Sequence, residues 1–236
     1  MTQPSPSRRE DSSTVRLNRL DCCAVSDAMD KLGLTDRVAS GLEQRSTQRR
    51  IAGRVVTYRL APADQAAIAA GRPRHLGTTA IGLAVPGEVI VVEQRSGIDA
   101  GSWGGILTLG AKIMGVAGVI VDGPVRDIDE ARSYEFPVYC RALTAKTARG
   151  RVAEIECNGP VTIGVVSVSP GDYVIADASG VAFIPASQIL EVLDVAEAIA
   201  GREAAMAKAL LAGQPIAEVM GADYEHMLHP QHQDIA

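Results

Sequence analysis

The chain has 236 residues, 47% of them hydrophobic, which is enough to bury one substantial core. A net charge of −5 and an aromatic content of 3% argue against a basic nucleic-acid face or a base-stacking platform. No run approaches the roughly 18 apolar residues that span a bilayer, and the polar start MTQPSPSRREDSS lacks the apolar stretch of a secretory signal. A cytoplasmic protein, with neither nucleic acid nor a membrane as partner, is therefore expected.

Residues 1–13, rich in Ser, Pro and charge, read as a disordered tail, and residues 14–236 as a single domain. SDAMDKLG predicts a short helix with Ser26 as N-cap, Asp27 in the first turn and Gly33 as the stop. GRVVTYRL alternates like a strand, ADQAAIAAG is helical by propensity, and PGEVIVVEQ is a turn followed by a strand. GSWGGILTLGAKIMGVAG predicts a glycine-led helix with Ile106, Leu109, Ile113 and Met114 at helical spacing. GVIVDG is a continuous apolar strand, and DIDEARSY a helix after it. FPVYCRAL, VAEIEC and VTIGVVSVSPGDYVIADASGVAFIP predict several strands broken by Pro-Gly-Asp and Ser-Gly turns. From about Ala186 to Leu211 runs a long amphipathic helix, with Leu190, Leu193, Val195 and Ile199 on one side and Glu191, Glu197 and Glu203 elsewhere. The order is mixed α/β, with more hairpins than a strict βαβ repeat.

GVIVDGPVRDIDE holds the chemistry. A strand that ends in glycine and turns presents the next residues at the rim of a sheet, where ligands of α/β folds bind. Arg126 offers a planar fork to a carboxylate or phosphate, and Asp127 offers oxygen to a hard divalent cation. The plainer alternative is that the two cap the following helix and pair on the surface. Gly101, Gly104 and Gly105 begin the preceding helix, where accessible N–H groups and the helix dipole favour an anion. An anion-binding helix start, an arginine and a metal-binding aspartate together describe a site for a 2-oxo acid.

WGGILTLGAKIMGVAGVIVDGPVRDIDE, with FPVYCRALTAKTARGR and PGDYVIADASGVAFIP, resembles the RraA-like family over roughly residues 25–185. That family includes divalent-metal-dependent 4-hydroxy-4-methyl-2-oxoglutarate/4-carboxy-4-hydroxy-2-oxoadipate aldolases, which also decarboxylate oxaloacetate, and a non-catalytic regulator of ribonuclease E. The resemblance implies a layered α/β/β sandwich, similar to a swivelling phosphohistidine domain, with a long C-terminal helix. It implies a lyase that cleaves a C–C bond of a small 2-oxo acid, by retro-aldol reaction or decarboxylation, through a metal-bound pyruvate enolate. A protein-binding regulator of an RNA-processing enzyme is the alternative. By the same resemblance, Arg126 and Asp127 are catalytic, Asp127 is a direct ligand of Mg²⁺ or Mn²⁺, and Arg126 also contacts substrate. The backbone from Trp103 through Gly104, Gly105 and Ile106 to Leu107 would hold the pyruvyl carboxylate. A homotrimer or dimer of trimers, with sites between subunits, is implied as well.

The chain departs from the aldolases at Gly105, where they carry an acid that helps to hold the metal's waters. In this G-x20-R-D-x2-E pattern Glu130 is the candidate second carboxylate, one helical turn from Asp127. Mg²⁺ needs only one or two protein carboxylates. Neither motif holds a base for a retro-aldol proton transfer, so an ordered water is expected to serve.

Other candidates have plainer readings. Lys112 could form a Schiff base, but a helix lysine is usually solvated. His226, His229 and His232 have metal-gathering spacing, yet Pro230 breaks the helix they would need. The four cysteines show no C-x-x-C pair and read as free thiols, and the run around Arg49, Arg50 and Arg54 as solvated surface. Asp21, Asp27 and His75 fit a subunit boundary or ordinary surface, and Asp172 and Asp177 ordinary turns.

Overall fold

A computed structural model describes residues 11–64 and 75–221. Asp11 opens it as N-cap of α1 (Ser12–Leu17), accepting from Ser13 N, so the first helix starts inside the segment that the sequence reads as tail. Helix α2 spans Cys22–Lys31 and its cap is Asp21, which accepts from Ala24 N. Ser26 therefore lies within this helix and is not its cap. The true start is hidden in the sequence because Asp21 precedes two cysteines rather than an obvious apolar period. Gly33, at φ 73°, is the stop that its left-handed backbone predicts.

The strands are β1 (Val38–Ala39), β2 (Glu43–Gln44), β3 (Ile51–Pro62), β4 (Val89–Glu93), β5 (Gly118–Val125), β6 (Val138–Leu143), β7 (Val152–Cys157), β8 (Val161–Ile163), β9 (Val166–Val168), β10 (Tyr173–Ala176) and β11 (Val181–Ile184). Four helices complete the account: α3 (Thr78–Leu83), α4 (Gly105–Ile113), α5 (Ile128–Ser133) and α6 (Ile189–Leu211), with a short α7 (Ile216–Val219) after them. Residues 65–71 of the alanine-rich segment and the three C-terminal histidines lie outside the described residues.

One sheet runs β1-β11-β10-β3-β4-β5-β6-β2, with β7 also on β3, while β8 and β9 form a separate hairpin. Strands β3 to β6 are parallel neighbours, with Val55 opposite Val89, Ile90 opposite Val119 and Val119 opposite Val138. The 12-residue β3 joins two regions of the sheet, since Ile51–Arg54 pair with β10 and Val55–Arg59 with β4.

Strand alternation then builds three contiguous buried layers. Ile90, Val92, Val119, Val121, Val138 and Cys140 face α3, α4 and α5. The alternate residues Val89, Val91, Ile120 and Tyr139 meet Val174, Ala176, Val181 and Phe183 of the returning strands, with the β8–β9 hairpin. The outer side of β10 and β11, through Tyr173, Ile175, Ala182 and Ile184, is covered by α1, α2 and α6. The α/β/β sandwich thus has a further helical layer. Both faces of the central strands are buried, which is why they read as unbroken apolar runs.

Two amphipathic assignments need correction. In α6 the buried stripe is Ile189, Val192, Leu193, Ala196 and Ile199, whereas Leu190 is exposed. In α4 the side packed on the sheet is Gly105, Leu107, Thr108 and Ala111. Ile106 and Ile113 are 80% and 75% exposed, and Met114 is exposed too. Small residues let α4 lie close to the sheet, so its largest side chains point outward.

Asp122, within the GVIVDG strand, is buried and serves the scaffold. It accepts from Arg141 Nε at 2.6 Å and from Gly164 N at 2.7 Å, tying the turn of the β8–β9 hairpin to the sheet.

Candidate active site

The site stands at the C-terminal ends of the parallel strands. β5 ends at Val125, and Arg126 and Asp127 follow before α5 begins. Trp103 O accepts from Arg126 N at 3.0 Å and Pro124 O accepts from Ser102 N at 2.9 Å, so the glycine loop and the strand end are stitched together through backbone. Tyr58 Oη, fully buried, donates to Ser102 O at 2.7 Å, and burial raises its pKa well above the ordinary phenol value. Ser102 Oγ in turn donates to Gln94 Oε1.

Asp127 occupies the left-handed region, at φ 57° and ψ 39°, and makes no side-chain cap to α5. The capping alternative is thus not what this carboxylate does. Its Oδ2 accepts from Gly105 N at 3.1 Å, at the start of α4, and both its oxygens lie 3.2 Å from Arg126 Nε. This backbone conformation is strained for a non-glycine residue, and it is what turns the carboxylate back across the loop instead of along its own helix.

The glycines make room for three candidate side chains. A Cβ on Gly101 would stand 2.8 Å from Arg126 Cγ, and one on Gly104 would stand 2.8 Å from Asp127 Oδ2. A Cβ on Gly105 would meet Glu130 Oε2 at 1.8 Å and Glu130 Cδ at 2.4 Å. Glu130 therefore fills the space from which an acidic side chain at position 105 would grow.

Trp103 is buried, stacked on Phe136 with centroids 6.4 Å apart, and donates Nε1–H to Thr108 Oγ1 at 2.8 Å. Its ring belongs to the core, which leaves only its backbone for the site. The first N–H groups of a helix have no intrahelical acceptor. Gly105 N is taken by Asp127, and Ile106 and Leu107 follow it at the cavity wall.

A cavity of about 1250 Å³ opens over these groups. Trp103, Gly104, Gly105, Ile106, Leu107, Arg126 and Asp127 are among its lining residues, and Glu130 is not. Its other lining residues include His75, Arg149, Glu154 and Glu156, none of which is a site candidate from the sequence. His75 Nδ1 lies 3.2 Å from Leu76 O; a carbonyl only accepts, so Nδ1 is the donor in this contact. Lys112 lies elsewhere, donating through Nζ to Tyr134 O beside a separate cleft with Arg49 and Arg50. The four cysteines are free. Burial lifts the thiol pKa of Cys140 to about 11 and pushes that of Cys22 higher still, so neither is a nucleophile.

The family model for RraA-like proteins, described as Aldolase/RraA, matches residues 22–183. The chain belongs to the RraA-like family. A Halalkalibacterium halodurans protein provisionally named 4-hydroxy-4-methyl-2-oxoglutarate aldolase is 30% identical over 210 residues, covering 87% of this chain and 90% of that protein. DlpA of Legionella pneumophila is 29% identical over 192 residues, covering 81% of this chain but only 30% of DlpA. Among solved structures, Streptomyces coelicolor RraAS2, described as an unusual member of the RNase ES inhibitor RraA family, superposes with TM-score 0.70 at 26% identity. That superposition covers 84% of this chain and 97% of RraAS2. An uncharacterized Pseudomonas syringae protein gives TM-score 0.79 at 26% identity, covering 89% and 97% of the two chains. No described helix is long and apolar enough to cross a membrane.

Proposed function

We propose that this member is a divalent-metal-dependent lyase that cleaves a C–C bond of a small 2-oxo acid, releasing pyruvate by retro-aldol cleavage, by oxaloacetate-type decarboxylation, or by both. The observation that carries this reading is the exchange at Gly105. The space that an acid at that position would enter is filled by the Glu130 carboxylate, and the Gly105 N–H holds Asp127.

The donor set fits Mg²⁺ or Mn²⁺. Asp127 and Glu130 offer hard carboxylate oxygens, and the glycine cradle keeps both where a Cβ would displace them. The described residues hold no group of three or more His, Cys, Asp or Glu suited to a metal, so water would complete the shell, as Mg²⁺ prefers. When bound, the cation supplies Lewis-acid charge that polarises the keto oxygen and stabilises negative charge released by C–C cleavage. The chain's own residues do the rest. The Ile106 and Leu107 amides orient the carboxylate of the pyruvyl unit at the positive end of α4. Arg126, held through Nε by Asp127, directs its terminal amino groups at the oxygen that gains charge. His75 Nε2, on the same cavity, takes the hydroxyl proton of a retro-aldol substrate through a water.

Ile106 and Ile113, exposed on α4, support assembly as a homotrimer or dimer of trimers with subunits meeting near the site. Free cysteines fit a cytoplasmic setting. The likeness to RraAS2 supports the second reading, a non-catalytic regulator that covers an RNA-processing enzyme. The deciding experiment measures pyruvate released from oxaloacetate and from 4-hydroxy-2-oxo acids, with Mg²⁺ or Mn²⁺ and with EDTA. Metal-dependent, EDTA-sensitive release is expected, and no release from any of these acids would favour the regulator.

A further inference from the structure

The cavity is larger than a pyruvyl unit requires, so it has room for a substrate that extends beyond the 2-oxo acid end. What it meets there is set by the other charges that line the cavity. Glu156 is paired with Arg59 at 2.6 Å, and Glu154 Oε2 accepts from Gly77 N at 2.7 Å. Arg126 is paired with Asp127. Arg149 is different. It lines the same cavity and is exposed, and its guanidinium has no ion pair or hydrogen bond with a described residue.

The backbone around Arg149 is nevertheless fixed. Arg149 N donates to Thr147 Oγ1 at 3.3 Å, while Arg151 N and Val152 N donate to Ala148 O at 2.8 and 3.0 Å. Arg151 Nη1 donates to Thr147 O at 3.1 Å. The same loop reaches the catalytic side, since Lys146 O accepts from Gly101 N at 2.9 Å, and Gly101 is the glycine that makes room for Arg126. A charged fork is thus carried on a braced loop while its charge stays uncompensated.

We infer that Arg149 is the specificity-determining residue for a second carboxylate, at the end of the substrate distal to the 2-oxo acid. This rests on the lyase reading above. It also orders the two reactions of that reading. In a retro-aldol cleavage the C3–C4 bond breaks, its electron pair passes to C3 to give the pyruvate enolate, and the 4-hydroxyl proton leaves to a base as C4 becomes a carbonyl. The enolate then takes a proton to give pyruvate, and the distal carboxylate stays charged throughout. In a β-decarboxylation that carboxylate loses its charge as it departs as CO₂. A guanidinium fixed on it stabilises the ground state more than the transition state. Arg149 therefore favours 4-hydroxy-2-oxo dicarboxylic acids cleaved by retro-aldol reaction over oxaloacetate.

The test uses binding as well as turnover. Calorimetric titration of the full chain in Mg²⁺ compares 2-oxoglutarate with its monocarboxylic counterpart 2-oxopentanoate. Wild type binds the dicarboxylate more tightly, and Arg149→Ala loses that preference by roughly 10- to 100-fold while 2-oxopentanoate affinity holds. Arg149→Lys restores part of it. In turnover, Arg149→Ala lowers kcat/KM for 4-hydroxy-2-oxoglutarate more than kcat/KM for oxaloacetate. Equal preference in wild type and Arg149→Ala overturns the inference. Dicarboxylate preference lost in Arg149→Ala, with no cleavage by wild type, would instead overturn the lyase reading and leave the assignment of Arg149 standing.

Discussion

Oε2 of Glu130 lies 1.8 Å from the point that a Cβ on Gly105 would occupy, so the two positions share a single space. As the Glu130 side chain stands, the two cannot be filled together. Gly105→Ala should therefore displace Glu130 and lower Mn²⁺ affinity by about the 10- to 100-fold typical of groups that support a metal's ligands. Glu130→Gln should do the same without a steric clash. The informative variant is the swap, Gly105→Asp with Glu130→Ala, which should recover Mn²⁺ affinity relative to either single change. A swap no better than Gly105→Asp alone would mean that the glycine only permits helix packing.

Arg126 and Asp127 should separate in a metal titration. Asp127→Ala removes the carboxylate that Gly105 N holds in place, and both Mn²⁺ binding and turnover should be lost. Arg126→Lys keeps the charge but loses the planar fork, so Mn²⁺ binding should survive while kcat/KM for the 2-oxo acid falls sharply. Equal loss of metal affinity in both variants would show that Arg126 acts only by positioning Asp127.

What the sequence revealed of this site was local. The Arg-Asp-x2-Glu block holds its three candidate residues within five positions, and the glycine-led helix start was visible as a candidate anion site. The reason for the glycines was not visible, because it lies in contacts with Arg126, Asp127 and Glu130, more than twenty residues away in the chain. His75 reads as subunit boundary or surface and Arg149 only as part of the FPVYCRALTAKTARGR block, because both come from loops and meet the site only through the fold. In the scaffold, strands were readable as apolar runs, but their doubling into two packed layers was not. An unbroken run such as Val89–Val92 looks the same whichever layer covers each face. The outward stripe of α4 shows the same limit, since helical spacing of large apolar residues says that a face exists and not what it meets.

Lys112 tests the alternative chemistry. Its ammonium is exposed, donates to Tyr134 O and lies outside the cavity of Arg126 and Asp127. Lys112→Ala should leave turnover within about twofold of wild type, because an exposed lysine away from the reacting groups carries little transition-state stabilisation. Borohydride with pyruvate should trap no adduct by mass spectrometry. An adduct on Lys112 would make this a Schiff-base aldolase.

Asp177 links the acid range to the stability of the outer helical layer. It sits in the turn between β10 and β11, yet its Oδ2 accepts from Cys22 N, at the start of α2, at 2.9 Å, while Oδ1 accepts from Ser179 N at 2.8 Å. Burial opposes its ionisation, but these donors and the charge of Arg50 outweigh burial and hold its pKa below the ordinary carboxylate value. A carboxylate whose folded pKa is depressed contributes stability above its unfolded pKa, about 4, and that contribution is lost as pH falls through the folded value. Asp177→Ala should thus cost about 1–3 kcal/mol at neutral pH, the range for leaving a buried amide without its acceptor. In urea unfolding series, the gap between wild type and variant should be constant from pH 7 to about 5 and narrow below about 4. A gap that stays constant to pH 3 would show that Asp177 does not hold α2 through its charge.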